Sequence, residues 1–216
     1  MGDTINFARE NGFVKLKNVL DKEVLDYYGE IISDYVTMLN RNNAPMEKRS
    51  TYDKAFLQIF NLWYKNDEIK EFVFSKKLAQ IAARLMGISG VRLYHDQALY
   101  KESGGGITPW HTDQYYWPLE SPNTVTVWIP LQETPMEMGP LAFANKSHKV
   151  DLGRTIEIGD DSEKQLAEAI TKNKNAYRDQ KPMSFHSSIF KKIPTDARNF
   201  SGSYIPFFKL ESQFPL

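Results

Sequence analysis

Apolar residues in the first half of the chain recur with the period of a buried helical face. From Asp21, which suits a helix N-cap, to the polar stretch beginning at Asn40, they stand three or four residues apart: Val24, Tyr28, Ile31, Tyr35 and Leu39. Residues 51–86 also follow a helical period, which Gly87 ends. This half therefore predicts two helical stretches, preceded by a short strand at residues 13–16.

After Gly90 the apolar pattern becomes that of strands. Residues 91–94 and 98–100 are rich in aliphatic and aromatic side chains, residues 124–129 alternate polar with apolar, and residues 141–143 form a further candidate. Ser162 and Gln165 have the spacing of a capping box, which predicts a short helix through Thr171. Helices followed by strands indicate the α+β class, with helices on one side of an antiparallel sheet or barrel that carries the site.

Composition narrows the kinds of partner. A chain of 216 residues with 41% hydrophobic content is long enough for one substantial core, so a single globular unit is expected. The 27 basic and 27 acidic side chains cancel, which leaves no electrostatic footprint for nucleic acid or an anionic membrane and favours a small-molecule partner. There is no apolar segment of about 18 residues and no apolar N-terminal region, so a cytoplasmic location is expected by default.

The absence of cysteine directs attention to histidine and carboxylate ligands. It excludes disulfides, thiolate zinc sites and iron–sulfur clusters. His111 and Asp113 stand two residues apart, so in an extended segment they point the same way and can close on one metal ion. One His and one carboxylate are two-thirds of the facial triad of non-haem Fe(II) oxygenases. The alternative is a strand-end pair that faces solvent or each other.

Several short motifs occur in the order and spacing of a known family. They are Gly12-Phe13-Val14, Pro109-Trp110-His111-Thr112-Asp113, Val127-Trp128-Ile129-Pro130-Leu131, Met138-Gly139-Pro140-Leu141 and Ser147-His148-Lys149. Over about residues 10–186 the chain resembles the phytanoyl-CoA dioxygenase family of Fe(II)- and 2-oxoglutarate-dependent oxygenases. The resemblance implies one domain over residues 1–216, folded as a double-stranded β-helix (a jelly roll, cupin-like) with N-terminal helices.

The resemblance also implies roles for particular residues. His111 and Asp113 become iron ligands, and four residues are assigned to the pocket of the cosubstrate 2-oxoglutarate: Gln97, Thr112, Trp128 and, more loosely, Lys54. An intact Asp113 implies hydroxylation of a small organic substrate with dioxygen, because relatives that chlorinate have a small residue there. His148 matches a turn whose histidine is structural, and His95, beside Asp96, is interpreted as a satisfied core or surface histidine.

Residues 187–216 depart from the family pattern and form a divergent tail, so the final strands of the jelly roll are expected to be incomplete. Met183-Ser184-Phe185-His186 matches the upstream part of a family segment whose metal-binding histidine would fall near Lys191 or Lys192, but no histidine follows His186. Arg198 is not placed as the family's cosubstrate arginine. Three interpretations stay open: His186 is a substitute third ligand, the metal is held by His111 and Asp113 alone, or the chain is a truncated or inactive member. A hypothesis from another class is a jelly-roll protein that binds a small molecule without turnover.

Overall fold

The computed structural model describes most of the N-terminal half of the chain and separate stretches of the remainder. The described residues are 2–40, 44–102, 105–106, 108–117, 119, 123–135, 141–149, 155–159, 161–162, 164–166, 168 and 205–213. Their helices are α1 (Gly2–Asn11), α2 (Lys22–Leu39), α3 (Thr51–Ala55), α4 (Asp67–Val73) and α5 (Lys76–Met86), and their strands are β1 (Leu57–Phe60), β2 (Arg92–Lys101), β3 (Thr124–Pro130) and β4 (Ile205–Gln213). Helices and sheet together agree with the α+β class.

The strands form one antiparallel sheet in the order β1-β2-β4-β3. The register aligns Gln97 of β2 with Lys209 of β4, and Lys209 in turn with Trp128 of β3. A bulge lies between Leu93 and His95, so the alternation of β2 is regular from His95 onward. The sheet is the frame on which the candidate site is assembled.

The two faces of this sheet differ. Ala98, Tyr100, Val127 and Ile129 belong to the main apolar cluster together with Ile32 of α2, and we call this side the helix face. The alternate residues Gln97, Leu99, Thr126 and Trp128 form the site face, where Trp128 and Phe56 pack against Leu99 in a separate cluster. The helix face thus completes the apolar core, and the site face carries the candidate ligand-binding residues.

Local signals begin and end the helices that cover the helix face. Asn66 caps α4 by accepting a hydrogen bond from the Ile69 N–H at 2.8 Å. Gly87 ends α5 with a φ of 77°, a left-handed conformation that glycine adopts without a steric penalty. The predicted helix after Asp21 is confirmed as α2, where Ile32 is fully buried. A buried aliphatic side chain of this size contributes roughly 1.5–3 kcal/mol.

The single helical stretch predicted over residues 51–86 is wrong. Strand β1 and a 3₁₀ turn at Leu62–Tyr64 lie inside it. Asn61 adopts a positive φ of 56°, and the fully buried Asp96 carboxylate accepts hydrogen bonds from the N–H groups of Leu62 (3.0 Å) and Trp63 (3.2 Å). Pairing of β1 with β2 and this capping by Asp96 override the local helical period.

Two other predicted strands are also absent. Residues 13–16 and 141–143 are irregular, and Phe13 stacks on Phe143 with ring centroids 5.1 Å apart. An aromatic contact therefore joins these segments where backbone pairing was expected. Helix α1, which precedes them, was not predicted.

Around Ser162 the outcome is mixed. Residues 162, 164–166 and 168 are helical, as predicted, but Ser162 is itself inside the helix and its hydroxyl does not serve the predicted capping box. Instead the hydroxyl oxygen lies 2.9 Å from the carbonyl oxygens of both Trp110 and Gly159, either of which can accept its single proton. The remaining predicted helical residues, up to Thr171, lie outside the described part.

The later strands agree better with the pattern. Residues 124–129 are confirmed as β3, and the two predicted strands at 91–94 and 98–100 are parts of the continuous strand β2. Strand β4 lies in the tail to which no strand was assigned. Among the described residues, no helix has the length and apolar content needed to cross a membrane.

Candidate metal centre

The proposed ligands lie at the start of a short 3₁₀ turn, Asp113–Tyr116. Thr112 is extended, with φ −115° and ψ 129°, so it turns His111 and Asp113 toward the same side, as the i, i+2 spacing predicts. His111 Nε2 lies 3.3 Å from Asp113 Oδ1. Metal–ligand bonds of about 2.0–2.2 Å can therefore meet at a single ion in contact with both atoms.

A hydrogen bond fixes which nitrogen of His111 is available. Its Nδ1 lies 2.9 Å from the carbonyl oxygen of Pro109. A carbonyl can only accept, so Nδ1 carries the proton and a neutral His111 presents the lone pair of Nε2 to Asp113. This is the arrangement in which a metal-binding histidine donates its second ring N–H to the backbone.

Asp113 is supported from the site face of the sheet. The hydroxyl of Thr126 on β3 donates a long hydrogen bond of 3.5 Å to Asp113 Oδ2, on the opposite side of the carboxylate from His111. The side chains of His111 and Asp113 are both 30% exposed, so an ion can reach them from solvent.

His111 and Asp113 fit two of the three ligand positions of a facial-triad iron site. Among the described residues, no group of three His, Cys, Asp or Glu side chains could hold a metal. The third predicted ligand, His186, lies outside the described part of the chain. The same 3.3 Å separation would also suit a His–Asp ion pair, the alternative that the sequence left open.

The predicted cosubstrate residues occupy different positions around this pair. Gln97 lies on β2, only 6% exposed, and accepts a hydrogen bond from Gln58 Nε2 at 2.7 Å. Thr112 links the two ligands, and Trp128 is packed on Leu99. The roles of all three in cosubstrate binding stay predictions.

Lys54 lies beside the glycine turn that follows β2. Its carbonyl oxygen accepts a hydrogen bond from Gly106 N at 2.8 Å. A Cβ atom at Gly105 would lie 2.7 Å from that oxygen, so only glycine permits this approach. The described part of the turn is thus attached to the end of α3.

A second lysine, Lys101, lies at the end of β2 and was not among the residues predicted for the site. Its Nζ donates to the Gly106 carbonyl at 3.3 Å and lies 5.6 Å from the Phe56 ring centroid. Burial lowers the pKa of Lys101 below its usual range. Counting every second residue along β2 from Gln97 would have placed Lys101 on the site face.

The aromatic run after the ligands is divided between surface and interior. Tyr115 and Tyr116 are partly exposed, with ring centroids 4.8 Å apart, whereas Trp117 is buried. The Tyr116 hydroxyl accepts a hydrogen bond from Ile158 N at 2.9 Å. Together with the contact from Ser162 to Trp110, this bond attaches Ile158 and Ser162 to the ligand-bearing segment.

His148 contacts a different part of the protein. Its Nε2 donates to the Arg9 carbonyl at 3.0 Å, and its ring lies against Gly12. Two motifs that are far apart in sequence, one around Gly12 and one around His148, therefore meet at the end of α1. These contacts give His148 a structural role.

Comparisons with known proteins agree with the site's donor chemistry. The family model described as phytanoyl-CoA dioxygenase (PhyH) matches residues 8–186. A probable alpha-ketoglutarate-dependent hypophosphite dioxygenase from Stutzerimonas stutzeri is 28% identical over 116 residues, which are 53% of this chain and 40% of that protein. The matched stretch thus spans less than half of that relative.

Solved structures show a similar fold. The non-heme alpha ketoglutarate dependent carbocyclase SnoK of nogalamycin biosynthesis has a TM-score of 0.56 and 24% identity, covering 63% of this chain and 52% of its own. The epimerase SnoN of the same biosynthesis has a TM-score of 0.62 and 15% identity, covering 98% and 81%. A second SnoN structure, which contains Fe3+, alpha ketoglutarate and nogalamycin RO, has a TM-score of 0.55. At these identities the likeness concerns the fold alone.

Proposed function

Because this chain belongs to the phytanoyl-CoA dioxygenase family, we propose that it is a non-haem Fe(II)- and 2-oxoglutarate-dependent dioxygenase that hydroxylates a small organic substrate. The observation that carries the proposal is the 3.3 Å approach of His111 Nε2 to Asp113 Oδ1, with the proton of His111 held on Nδ1 by Pro109. These two atoms offer a neutral nitrogen and an anionic oxygen at adjacent positions, as the facial triad requires.

The fold supports this proposal without completing it. Likeness to SnoN over 98% of the chain favours a jelly roll in which the described sheet is one of two layers. We propose that residues 1–216 form one such domain, and that β4, from the divergent tail, supplies one of its strands.

Each residue at the site has a distinct task in this proposal. His111 and Asp113 hold iron, and Thr126 orients Asp113 through its hydroxyl. Gln97, Thr112, Trp128 and Lys54 surround 2-oxoglutarate, while Tyr115 and Tyr116 shield the substrate side from water. Iron bound by these residues would let dioxygen oxidise a substrate C–H bond to an alcohol, while 2-oxoglutarate would take up the second oxygen atom and leave as succinate and carbon dioxide. Asp113 fills the position where chlorinating relatives leave space, which favours hydroxylation.

His186 is the third ligand in this proposal. The chain has four histidines. Among the described residues, neither His95 nor His148 joins His111 and Asp113 in a group of three that could hold a metal. Of the four histidines in the sequence, this leaves His186 as the favoured second imidazole of the triad.

The proposal is tested by following the cosubstrate, since the substrate need not be known. Purified protein with Fe(II), ascorbate and 2-oxoglutarate in air should release succinate slowly, and Asp113→Ala and His186→Ala should abolish that release. His148→Ala is the matched control and should retain it. Succinate release that persists in Asp113→Ala would contradict the proposal.

A second candidate is a jelly-roll protein that binds a small molecule without turnover. The observation in its favour is that the described residues provide two metal ligands and not three. The same assay distinguishes the two, because only the enzyme converts bound 2-oxoglutarate into succinate and carbon dioxide.

A further inference from the structure

Three polar side chains on neighbouring strands form a hydrogen-bonded chain on the site face. Gln58 Nε2 of β1 donates to Gln97 Oε1 of β2 at 2.7 Å, and Gln97 Nε2 lies 2.5 Å from His95 Nε2. Gln97 is buried, so the stability of the folded protein depends on how its amide is hydrogen-bonded. The sequence motifs assign no role to Gln58, and they leave His95 as a structural residue.

The direction of the contact with His95 follows once Gln58 Nε2 is the donor to Gln97 Oε1. An amide nitrogen can only donate, so His95 Nε2 must be the acceptor and the proton of a neutral His95 must be on Nδ1. Because Gln58 Nε2 donates to Gln97 Oε1, the Gln97 amide can reverse its ends only if Gln58 reverses and His95 changes tautomer with it. Among the described residues, the second N–H of Gln97 has no hydrogen-bond partner, so toward a ligand it can act as a donor.

The location of Gln97 indicates which ligand oxygen it meets. It shares a register row with Trp128, whereas Thr126, which contacts Asp113, lies two residues along β3. Two residues of a strand advance the chain by about 6.8 Å, and β4 separates β2 from β3 by two strand spacings, roughly 9.6 Å in total. The backbones of Gln97 and Thr126 are therefore on the order of 12 Å apart, so only the far end of a cosubstrate held at Asp113 can approach Gln97.

We propose that Gln58 and His95 are positioning residues that hold Gln97 as a hydrogen-bond donor to the distal carboxylate of 2-oxoglutarate. This inference rests on the proposed function, because it assumes that the cosubstrate binds iron at His111 and Asp113. It adds a source of selectivity: a ligand whose distal group can only accept hydrogen bonds is favoured, and one whose distal group is apolar leaves the Gln97 N–H unsatisfied.

The test compares two 2-oxo acids that share the iron-binding end. 2-Oxoglutarate has the distal carboxylate and 2-oxobutyrate lacks it. Anaerobic titration of the Fe(II)-loaded protein, followed by the visible charge-transfer band of the chelate, gives a dissociation constant for each. Gln58→Glu replaces the donor by an acceptor and should reverse the Gln97 amide at almost unchanged size. We expect its dissociation constant for 2-oxoglutarate to rise about tenfold or more.

Further variants separate amide orientation from added charge and from general damage. Gln58→Leu removes the donor without adding charge and should raise the 2-oxoglutarate constant a few-fold. His95→Gln retains an acceptor and should bind more tightly than His95→Leu. In each variant the constant for 2-oxobutyrate should stay within about twofold of wild type, and thermal melting should show an intact fold.

The outcomes distinguish this inference from the proposed function. Suppose that both acids produce the band in wild-type protein. If Gln58→Glu then weakens the binding of both acids equally, or does not weaken the binding of 2-oxoglutarate, the positioning role is overturned. The enzyme proposal would stand in either case. If neither acid produced a band in wild-type protein, the proposed function would fail, and the positioning role would fail with it.

Discussion

The two faces of the sheet are made by neighbouring residues of the same strands, yet they are organised by different forces. On the helix face, Ala98, Tyr100 and Ile129 are buried against helix α2 and its neighbours, and shape and apolar area hold them. On the site face, Gln97 is just as inaccessible but is held by hydrogen bonds to Gln58 and His95.

Because of this difference, substitutions at neighbouring residues of one strand should affect either the stability of the fold or the binding of a ligand. Removing volume from the helix face leaves a cavity, whereas altering a polar group on the site face changes which atoms a ligand meets. Because successive strand residues lie on opposite faces, substitutions at the adjacent residues Trp128 and Ile129 test the site face and the helix face separately.

That pair gives the largest expected effect on stability. Ile129→Ala should lower the free energy of unfolding by about 3–4 kcal/mol, because Ile129 is 7% exposed and belongs to the main core. Its affinity for 2-oxoglutarate should change little. Trp128→Ala should show the reverse balance, with the smaller loss of stability and the larger loss of affinity. Chemical denaturation and cosubstrate titration measure the two quantities, and equal stability losses would mean that the faces are not distinct.

Asp96 is the polar exception on the helix face and should make stability depend on pH. Burial raises its pKa from 3.8 to about 6, against the opposing effect of the N–H groups of Trp63 and Leu62. A raised pKa means that the folded state binds the proton more tightly, so stability should fall as pH rises from about 4 to above 6, by up to roughly 3 kcal/mol. Denaturation at pH 4.5 and 7.5 measures the change.

The matched variant for this prediction is Asp96→Asn, which cannot titrate. It should remove most of the difference in stability between the two pH values. If wild type and Asp96→Asn changed in parallel, the pH dependence would come from other groups.

The contact between Gly12 and His148 should show a somewhat smaller effect, remote from the ligand-binding residues. Gly12 has a φ of 86°, and an added Cβ would lie 2.3 Å from His148 Nδ1. Gly12→Ala should therefore cost about 2 kcal/mol through strain and collision. In the double variant with His148→Ala, the part of the lost stability that comes from the collision should be recovered. If the stability losses of the two single variants simply added, the two residues would not interact in this way.

Thr126 should give the smallest effect. Its hydrogen bond to Asp113 is long, 3.5 Å, so Thr126→Val should weaken iron binding by only about threefold to tenfold, at the low end for a residue behind a metal ligand. Stability should be nearly unchanged. A loss as large as that of Asp113→Ala would make Thr126 part of the ligand set itself.

How much could be predicted depended on whether the determining contacts are local in sequence. Helix α2 and strand β3 follow from their own periodicity, and the approach of His111 to Asp113 follows from a spacing of two residues. Strand β1 is four residues long and forms because β2 lies beside it, which no window of sequence reveals.

The missed parts of the candidate site are also non-local. The bond from Gln58 to Gln97 joins residues 39 apart and depends on strand register. Strand β4 has alternate residues, Phe208 and Leu210, at register positions beside Ala98 and Asp96, but the departure of the tail from the family pattern obscured that alternation.

The most direct test of the account is anaerobic Fe(II) binding to wild-type protein, His111→Ala and His148→Ala, measured as ions bound per chain. Two histidines that both use one ring nitrogen to donate to a backbone carbonyl are thereby compared, one beside a carboxylate and one against α1. We predict one ion per chain in wild type and His148→Ala and none in His111→Ala at the same iron concentration. Unchanged binding in His111→Ala would contradict the account and place any iron site elsewhere.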